Sequence, residues 1–434
     1  MTLDKFQADR LGLFIHWGAY STSGRSEWLR SHERLSVAAY QPYVDAFNPK
    51  PDCIRTWAKL AKEAGMNYAV LTTKHHDGFC LFDSVHTTYS TQHTLGRDLV
   101  AEYVQAFRAE GIQIGFYYST IDWHHPDYPH YKDLQHPLRD DPIAQAEEAG
   151  RNLDRYLDYM HAQIRELCTN YGKLDILWFD FSYNNPSDSG HPAMKGETWR
   201  ATQLVDMIRE LQPEIIFNNR LGSNGGMLEA EPAYYAGDFT SPEQLVPPQG
   251  MVNVHGKRIP WEACMTMTSS WSYTRNPDSH KSSQTLIRAL IDCVSKNGNL
   301  LLNVGPTANG DIPVASIQVL KDMGAWLAVN GASIYGCQGT TLPKPDWGRF
   351  TTGDGKLYAH LFERGVGPIP LIGLEGKVSQ AKLLLDGGLL PLERPWNVTK
   401  FPNDAFINLP WFDYLPDQMA TVVELTLKPG ITLT

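Results

Sequence analysis

No stretch of the 434-residue chain approaches the roughly 18 to 20 consecutive apolar residues of a membrane-spanning helix, which argues against a membrane protein built on helices. The six cysteines (Cys53, Cys80, Cys168, Cys264, Cys293, Cys337) are scattered, with neither a CxxC pair nor zinc-type spacing. Reduced thiols in a cytoplasm are the simplest reading of that pattern. No long basic cluster accompanies the formal net charge of -10. Nucleic acid is therefore not expected as a partner, because affinity for it comes chiefly from neutralising phosphates. The opening residues Met1-Thr-Leu-Asp-Lys-Phe6 lack a basic segment followed by an apolar one, so a cytoplasmic protein without a secretory signal is expected. A trimmed secreted or periplasmic form would read the same way. HxH and HExxH pairs are missing too, as is any low-complexity tract.

Aromatic surface is abundant, with 12 Trp and 20 Tyr, and aromatic rings suit sugar faces as well as cores. The length calls for a large domain plus a smaller one. Short apolar runs alternate with amphipathic helical patterns. Leu11 to Gly18 reads as a strand. A helix from Ile54 to Ala64 stops at Gly65, and Tyr68 to Phe79 reads as a strand that ends in Lys74, His75, His76 and Asp77. Further units are a helix over Leu99 to Phe107 stopped at Gly111, a strand Ile112 to Tyr118, a long helix to about Tyr171, and the strand in Leu174–Tyr183. They continue with a helix about Gln203 to Leu211, a strand Ile215 to Arg220, Trp261 to Met267, a helix about Gln284 to Ser295, a strand Leu300 to Val304 and a helix about Ser316 to Val329. Buried strands alternating with helices imply a parallel sheet with right-handed crossovers, here a (β/α)8-like TIM barrel over residues 1–337 with irregular later repeats. From about residue 338 to 434 the helical period gives way to short alternating runs between Gly and Pro, which predict an antiparallel β-sandwich.

The run Leu174-Asp-Ile-Leu-Trp-Phe-Asp-Phe-Ser-Tyr183 places Asp180 at the end of a buried strand, where an unpaired carboxylate would cost several kcal/mol. His16, His75 with His76, Tyr117 with Tyr118, and Asn218 with Asn219 fall at the ends of other predicted strands. In a (β/α) barrel such ends converge on the active-site face. Taken singly, each residue has an ordinary reading: a hydrogen-bonded structural histidine, a packing Tyr117 or Trp178, an Asp180 that caps a helix or pairs with an arginine. A metal-dependent hydrolase built on His75, His76 and Asp180 is an alternative. Adjacent histidines would diverge on a strand, however, and the remaining rim residues are sugar-stacking and hydroxyl-binding types. Isolated carboxylates in such a pocket suit glycoside hydrolysis, which needs one carboxylate as nucleophile or base and another as proton donor.

Nine ordered segments carry a closer resemblance: Phe14-Ile-His-Trp-Gly18, Ser26-Glu-Trp28, Thr72-Thr-Lys-His-His-Asp-Gly-Phe79, Gly96-Arg-Asp-Leu99, Gly115-Phe-Tyr-Tyr-Ser119, Leu177-Trp-Phe-Asp180, Phe217-Asn-Asn-Arg220, Trp261-Glu262 and Gly298-Asn-Leu-Leu-Leu-Asn-Val-Gly-Pro306. Together they resemble the family 29 glycoside hydrolases, the α-L-fucosidases. The resemblance implies metal-free and cofactor-free exo-cleavage of α-L-fucose from an oligosaccharide or glycoconjugate with retention, on a barrel followed by a β-sandwich. It implies Asp180 as nucleophile and His16, Glu27, His75, His76, Tyr117 and Trp178 as fucose-binding residues, beside which Trp28 and Asn219 are further substrate-binding candidates. For the acid/base, Gly237-Asp-Phe-Thr-Ser-Pro-Glu-Gln244 resembles the segment that carries it in one branch, so Glu243 leads. Asp278, in a loose match to another branch, Glu229 and Glu231 in an apparent insertion over 222–235, and Glu262 beside Trp261 remain alternatives. Some members place an arginine a few residues after the Trp-Glu pair, where this chain has Met265. The loop Asp122 to Pro142, with His124, His125, His130 and His136, is a candidate for shaping an aglycone subsite, its histidines otherwise reading as solvated. A glycan-binding protein that kept the barrel without catalysis is the alternative from another class, and a galactoside-type exo-hydrolase the alternative within the same one. An oligomer is compatible with the sequence.

Overall fold

The computed structural model describes residues 1–434 except 131–132, 183–192, 223–225, 397–399, 411–413 and 434. Tyr183 and parts of the 122–142 loop and the 222–235 insertion thus lie outside the described residues. Among those described, seven parallel strands form one sheet in the order β5-β4-β3-β2-β1-β7-β6. They are β1 (Leu11–Ile15), β2 (Tyr68–Lys74), β3 (Gln113–Ser119), β4 (Ile176–Asp180), β5 (Ile216–Phe217), β6 (Trp261–Thr266) and β7 (Gly298–Val304). Helices Cys53–Glu63, Leu99–Ala109, Leu153–Asn170, Ala201–Leu211, Ser283–Val294 and Val314–Asn330 supply the crossovers and outer layer. Polar caps fit these helices locally: Asp98, Asn152 and Ser282 each accept the backbone N–H three residues on. Gly65 and Gly111 stop two of them at φ of 80° and 71°, a left-handed conformation that side chains resist.

The gap between β5 and β6 is closed by residues 238–244, an irregular eighth strand that periodicity did not reveal. Parallel bridges join Asn218 to Phe239, Thr240 to Trp261 and Glu243 to Cys264. Their hydrogen bonds run from Asp238 N to Phe217 O (2.8 Å), Thr240 N to Pro260 O (3.0 Å), Glu262 N to Thr240 O (2.9 Å) and Gln244 N to Cys264 O (2.9 Å). The barrel interior is filled by alternate strand residues, among them Phe14, Tyr68, Val70, Tyr117, Trp178, Phe239, Cys264 and Leu301. An N-terminal helix, Leu3–Asp9, that the sequence reading did not anticipate closes the end opposite the strand C-termini. Its Phe6 lies 4.7 Å from the Phe239 ring and 5.5 Å from that of Tyr68.

The C-terminal segment is antiparallel β. Among the described residues, β8 (Gly348–Gly353), β9 (Lys356–Leu361), β11 (Val378–Leu383), β12 (Leu389–Leu390) and β14 (Thr421–Leu427) form one sheet, and β10 (Ile369–Leu371) pairs with β13 (Ala405–Ile407). These strands enclose their own apolar cluster, which includes Phe350, Leu357, Leu361, Ile407 and Leu425. Trp326 Nε1 donates to Ala420 O (3.1 Å) and Arg288 Nε to Met419 O (3.0 Å), tying this sheet to the outer helices of the barrel. No described helix is long and apolar enough to cross a membrane.

Candidate active site

Because the strands are parallel, their C-terminal ends meet at one rim. There Ser119 is paired with Asp180, and His16 N donates to Val304 O at 3.1 Å. An inner pocket of about 60 Å³ is lined by His16, Trp28, His75, His76, Tyr117, Trp178, Asp180 and Glu243, together with Phe14, Phe181, Arg220 and Trp271. Seven of the predicted site residues therefore share one cavity with Glu243. Asp180 Oδ2 accepts from the Tyr117 hydroxyl (2.8 Å), while Oδ1 accepts from Arg220 Nη1 (2.9 Å) and Phe181 N (3.0 Å). Burial pushes its pKa up, but the Arg220 charge, His76 and the Tyr117 hydrogen bond outweigh burial and hold the carboxyl below its ordinary value. Asp180 is thus kept ionised, as a carboxylate nucleophile must be.

Arg220, the last residue of the Phe217-Asn-Asn-Arg220 segment, stands between the two carboxylates. Its Nη2 donates to Glu243 Oε2 (2.8 Å), its Nε to Ser241 Oγ (3.1 Å), and its guanidinium carbon lies 4.6 Å from the Trp178 ring centroid. One planar cation therefore spans both carboxylates. In this chain, which has Met265 after its Trp-Glu pair, the cation beside Asp180 is Arg220, from the turn after β5. The two carboxylates differ in setting: the side chain of Asp180 is 14 % exposed and that of Glu243 41 %. Gln244 holds the segment from the other side, at φ 57°, with Nε2 donating to Thr266 Oγ1 at 3.0 Å.

The histidines do not diverge. Strand geometry ends at Lys74, a turn closes from Gly78 N to His75 O (3.0 Å), and the His75 and His76 rings face the same pocket with centroids 4.0 Å apart. Side-chain alternation, the basis for expecting divergence, no longer applies beyond the strand. His16 Nδ1 meets Asn303 Oδ1 (2.7 Å) and His76 Nδ1 meets Ser119 Oγ (2.7 Å), which leaves each Nε2 as an acceptor. His75 Nδ1 is buried with no hydrogen-bond partner among the described residues. Burial depresses all three pKa values, His16 to about 4, His76 to about 3 and His75 well below its usual value, so the imidazoles are neutral at pH 7. Rings complete the cup: His75 stacks on Tyr117 (5.5 Å), Tyr117 on Trp178 (5.8 Å), and Trp271 lies 5.0 Å from His16. Trp271 escaped the sequence reading because it sits in a loop with no periodicity to mark it.

Other predicted residues are placed elsewhere. Glu27 is buried beside the cup, where it accepts from Ser270 Oγ (3.0 Å) and Ser272 N (2.9 Å) and lines a neighbouring cavity with Asp278. Asn219 Oδ1 accepts from Ser241 N and Ser241 Oγ, both at 3.1 Å, and so fastens the eighth strand. Among the alternative acid/base residues, Asp278 stands with Glu27 in that outer cavity, Glu229 lines a third cavity with Tyr235, and Glu231 is exposed. Glu262 is sealed within the barrel against Tyr68 and Trp178. The described part of the 122–142 loop lines neither the inner pocket nor the adjoining cavity of about 580 Å³ that shares Asp180 and Glu243 with it. It braces the site instead, with Trp123 5.7 Å from Trp28. Two of its histidines, His130 and His136, are buried at 3 % and 2 % exposure, while His124 and His125 are half-buried, the His124 ring stacking on Tyr89 at 3.7 Å.

Residues 1–332 match the family model for alpha-L-fucosidase. The chain belongs to the α-L-fucosidase family. The plasma alpha-L-fucosidase of Rattus norvegicus is 30% identical over 355 residues, covering 76% of this chain and 70% of that one. The structure of alpha-L-fucosidase isoenzyme 1 from Paenibacillus thiaminolyticus superposes with a TM-score of 0.93 at 53% identity, over 98% of each chain. The family 29 alpha-L-fucosidase of Bacteroides thetaiotaomicron, a Glu-to-Gln variant with 2-fluoro-fucosyl fluoride trapped as a covalent intermediate, aligns with a TM-score of 0.81 at 28% identity, over 98% of this chain and 95% of that one. Membership makes this chain a retaining glycoside hydrolase, and the barrel followed by a β domain is the family architecture.

Proposed function

We propose that the rim pocket removes terminal α-L-fucose from glycans by double displacement, with Asp180 as nucleophile and Glu243 as acid/base. The observation that carries this assignment is the Arg220 bridge, which sets a buried, ionised carboxylate beside a more exposed one. Retaining pairs stand about 5 to 5.5 Å apart, close enough for one guanidinium to serve both. In the first step an Asp180 oxygen bonds to the anomeric carbon as the glycosidic bond breaks, and the Glu243 proton passes to the departing oxygen. In the second, Glu243 takes a proton from water, the water oxygen bonds to the anomeric carbon, and the Asp180 ester breaks. Two inversions give net retention. The neutral histidines supply hydrogen bonds to sugar hydroxyls without adding charge, and Trp178 and Tyr117 supply flat apolar faces.

The test is azide rescue on an aryl α-L-fucoside. With Asp180→Ala, azide takes the place of the missing carboxylate, attacks once and yields the inverted β-L-fucosyl azide. With Glu243→Ala, azide attacks the covalent intermediate and yields the retained α-L-fucosyl azide. Near-normal turnover by Asp180→Ala would remove the nucleophile assignment, and ordinary turnover by Glu243→Gln the acid/base one. Fucose binding without any hydrolysis by the unaltered protein would favour a binding role.

A further inference from the structure

The interior face of β7 carries Asn299, Leu301 and Asn303 in alternation, from the closed end of the barrel to the rim. Asn299 Nδ2 donates to Phe6 O at 2.7 Å and so fastens the N-terminal helix. Asn303 makes the corresponding tie at the other end. It is 2 % exposed, its Nδ2 donates to Trp271 O (2.6 Å), and its Oδ1 stands 2.7 Å from His16 Nδ1. We infer that Asn303 is a positioning residue for the hydrolysis: it takes its orientation from the Trp271 carbonyl and thereby commits His16 to the tautomer that offers fucose an Nε2 lone pair. The inference rests on the rim pocket as the fucose site.

One arrangement of the amide satisfies all three groups. A backbone carbonyl accepts and cannot donate, so the NH2 of Asn303 must face Trp271 and its oxygen must face His16. The reversed amide would set two acceptor oxygens 2.6 Å apart. His16 Nδ1 is then the donor. Burial lowers the His16 pKa to about 4, so at pH 7 the ring holds that proton alone and Nε2 keeps its lone pair. The Trp271 carbonyl is itself fixed in place. A Cβ on Gly305 would lie 2.5 Å from Ser272 C, 2.6 Å from Tyr273 N and 2.9 Å from Trp271 O, so the loop rests directly on a backbone that admits no side chain there. Glu27 Oε2 adds a second hold, accepting from Ser270 Oγ and Ser272 N. The residue whose carbonyl orients the amide also carries the Trp271 ring, 5.0 Å from that of His16. One amide thus registers an aromatic wall of the cup against a hydrogen-bonding histidine, as partners behind a functional imidazole do elsewhere.

Neutron diffraction from deuterium-exchanged crystals of the parent at neutral pD reads the tautomer directly. Deuterium is expected on His16 Nδ1 and not on Nε2, with the deuterated amide nitrogen of Asn303 facing Trp271 O. Deuterium on His16 Nε2 would overturn the inference, and no variant is needed to see it. The consequence for turnover is read from a double-mutant cycle on an aryl α-L-fucoside. Asn303→Leu, of similar size without the amide, is expected to lower kcat/KM about tenfold or more in the parent. In a His16→Ala background it should cost no more than about threefold, since a residue that acts through His16 has nothing left to position once the imidazole is gone. The same factor in both backgrounds would overturn the role, because a residue that merely supports the fold multiplies its cost whatever stands at position 16. Failure of the parent to hydrolyse the aryl fucoside would overturn the assignment of the pocket itself, whereas deuterium on Nε2 in a parent that hydrolyses it overturns the role of Asn303 alone.

Discussion

Glu262 offers the sharpest physical test of the barrel interior. Its side chain is fully buried, with Oε2 accepting from the Tyr68 hydroxyl (2.5 Å) and Oε1 from Trp178 Nε1 (3.2 Å). Burial raises its pKa from the usual 4.5 to about 7, and the two hydrogen bonds offset burial only in part. A carboxyl whose folded pKa lies above its unfolded one stabilises the protein fully below the unfolded value, and that contribution is lost as pH rises through the folded value. At about 1.36 kcal/mol per pH unit, the interval from 4.5 to about 7 corresponds to about 3 kcal/mol. Glu262→Gln imitates the protonated acid, since its carbonyl can accept from Trp178 and its amide can donate to the Tyr68 oxygen. The variant therefore has no such proton to lose. Buried His16 and His76 have lowered pKa values and shift stability in the opposite sense, being destabilising as pH falls, but they are common to both proteins and cancel in the difference.

The assay is urea unfolding followed by tryptophan fluorescence at a series of pH values from 4.5 to 9. The unfolding free energy of Glu262→Gln minus that of the parent should rise by about 3 kcal/mol between pH 4.5 and 8 and stay level above. Parallel curves would refute the reasoning, because they would mean that Glu262 titrates alike folded and unfolded. Trp178 reports the same event through its emission, as its indole N–H faces the titrating oxygen.

Three other perturbations probe the rim. Arg220→Met removes the cation between Asp180 and Glu243. The acidic limb of the kcat/KM profile should move to higher pH, with activity at the optimum lower by about 10²-fold or more; an acidic limb that does not move would show that the bridge leaves Asp180 unaffected. Phe181 sits at φ 77°, in the left-handed region that side chains resist. Phe181→Gly and Phe181→Ala lose the same ring contacts with Trp28 and His76, so the glycine variant should be the more stable by about 1 kcal/mol in thermal or denaturant unfolding. Lys74 and Asp122 form an ion pair at 3.0 Å with side chains 0 % and 1 % exposed, and Asp122 Oδ1 also accepts from His124 N and His125 N. Lys74→Met should cost about 3 to 5 kcal/mol, with Lys74→Met/Asp122→Asn recovering part of it; equal losses in the single and double variants would mean that the stranded carboxylate carries no penalty.

The half of the site that was legible in the sequence rides on regular strands. Asp180, Tyr117 and Trp178 follow or end apolar runs whose period announces a strand, and parallel pairing brings such ends together whatever loops intervene. His16 and His75 were legible for the same reason, as the first residues past β1 and β2. The alternation rule misled only where it was carried past Lys74, into a turn where the backbone no longer reverses direction at each residue. Arg220 could be seen in its motif but not understood, since its two partners lie 40 and 23 residues away in opposite directions along the chain.

The other half depends on a strand that is scarcely a strand. Residues 238–244 include Pro242 and a left-handed Gln244, present no apolar run, and pair with their neighbours through single bridges. Nothing local dictates that extended path. It follows from the open edges that β5 and β6 leave when seven strands curl toward closure, because unpaired backbone groups at those edges must find partners. Asn219 and Arg220, at the end of β5, hold this segment through Ser241, and Gln244 anchors it to Thr266 on β6. The same contacts that close the barrel therefore set the position of Glu243. Substitutions that loosen the closure, such as Asn219→Ala, should weaken the acid/base step before they unfold the protein. In Asn219→Ala, kcat/KM, which reports the first step alone, should fall more for substrates with poor leaving groups, which need proton donation, than for α-L-fucosyl fluoride, which does not. An equal fall for both would place the effect of Asn219 on fucose binding rather than on Glu243.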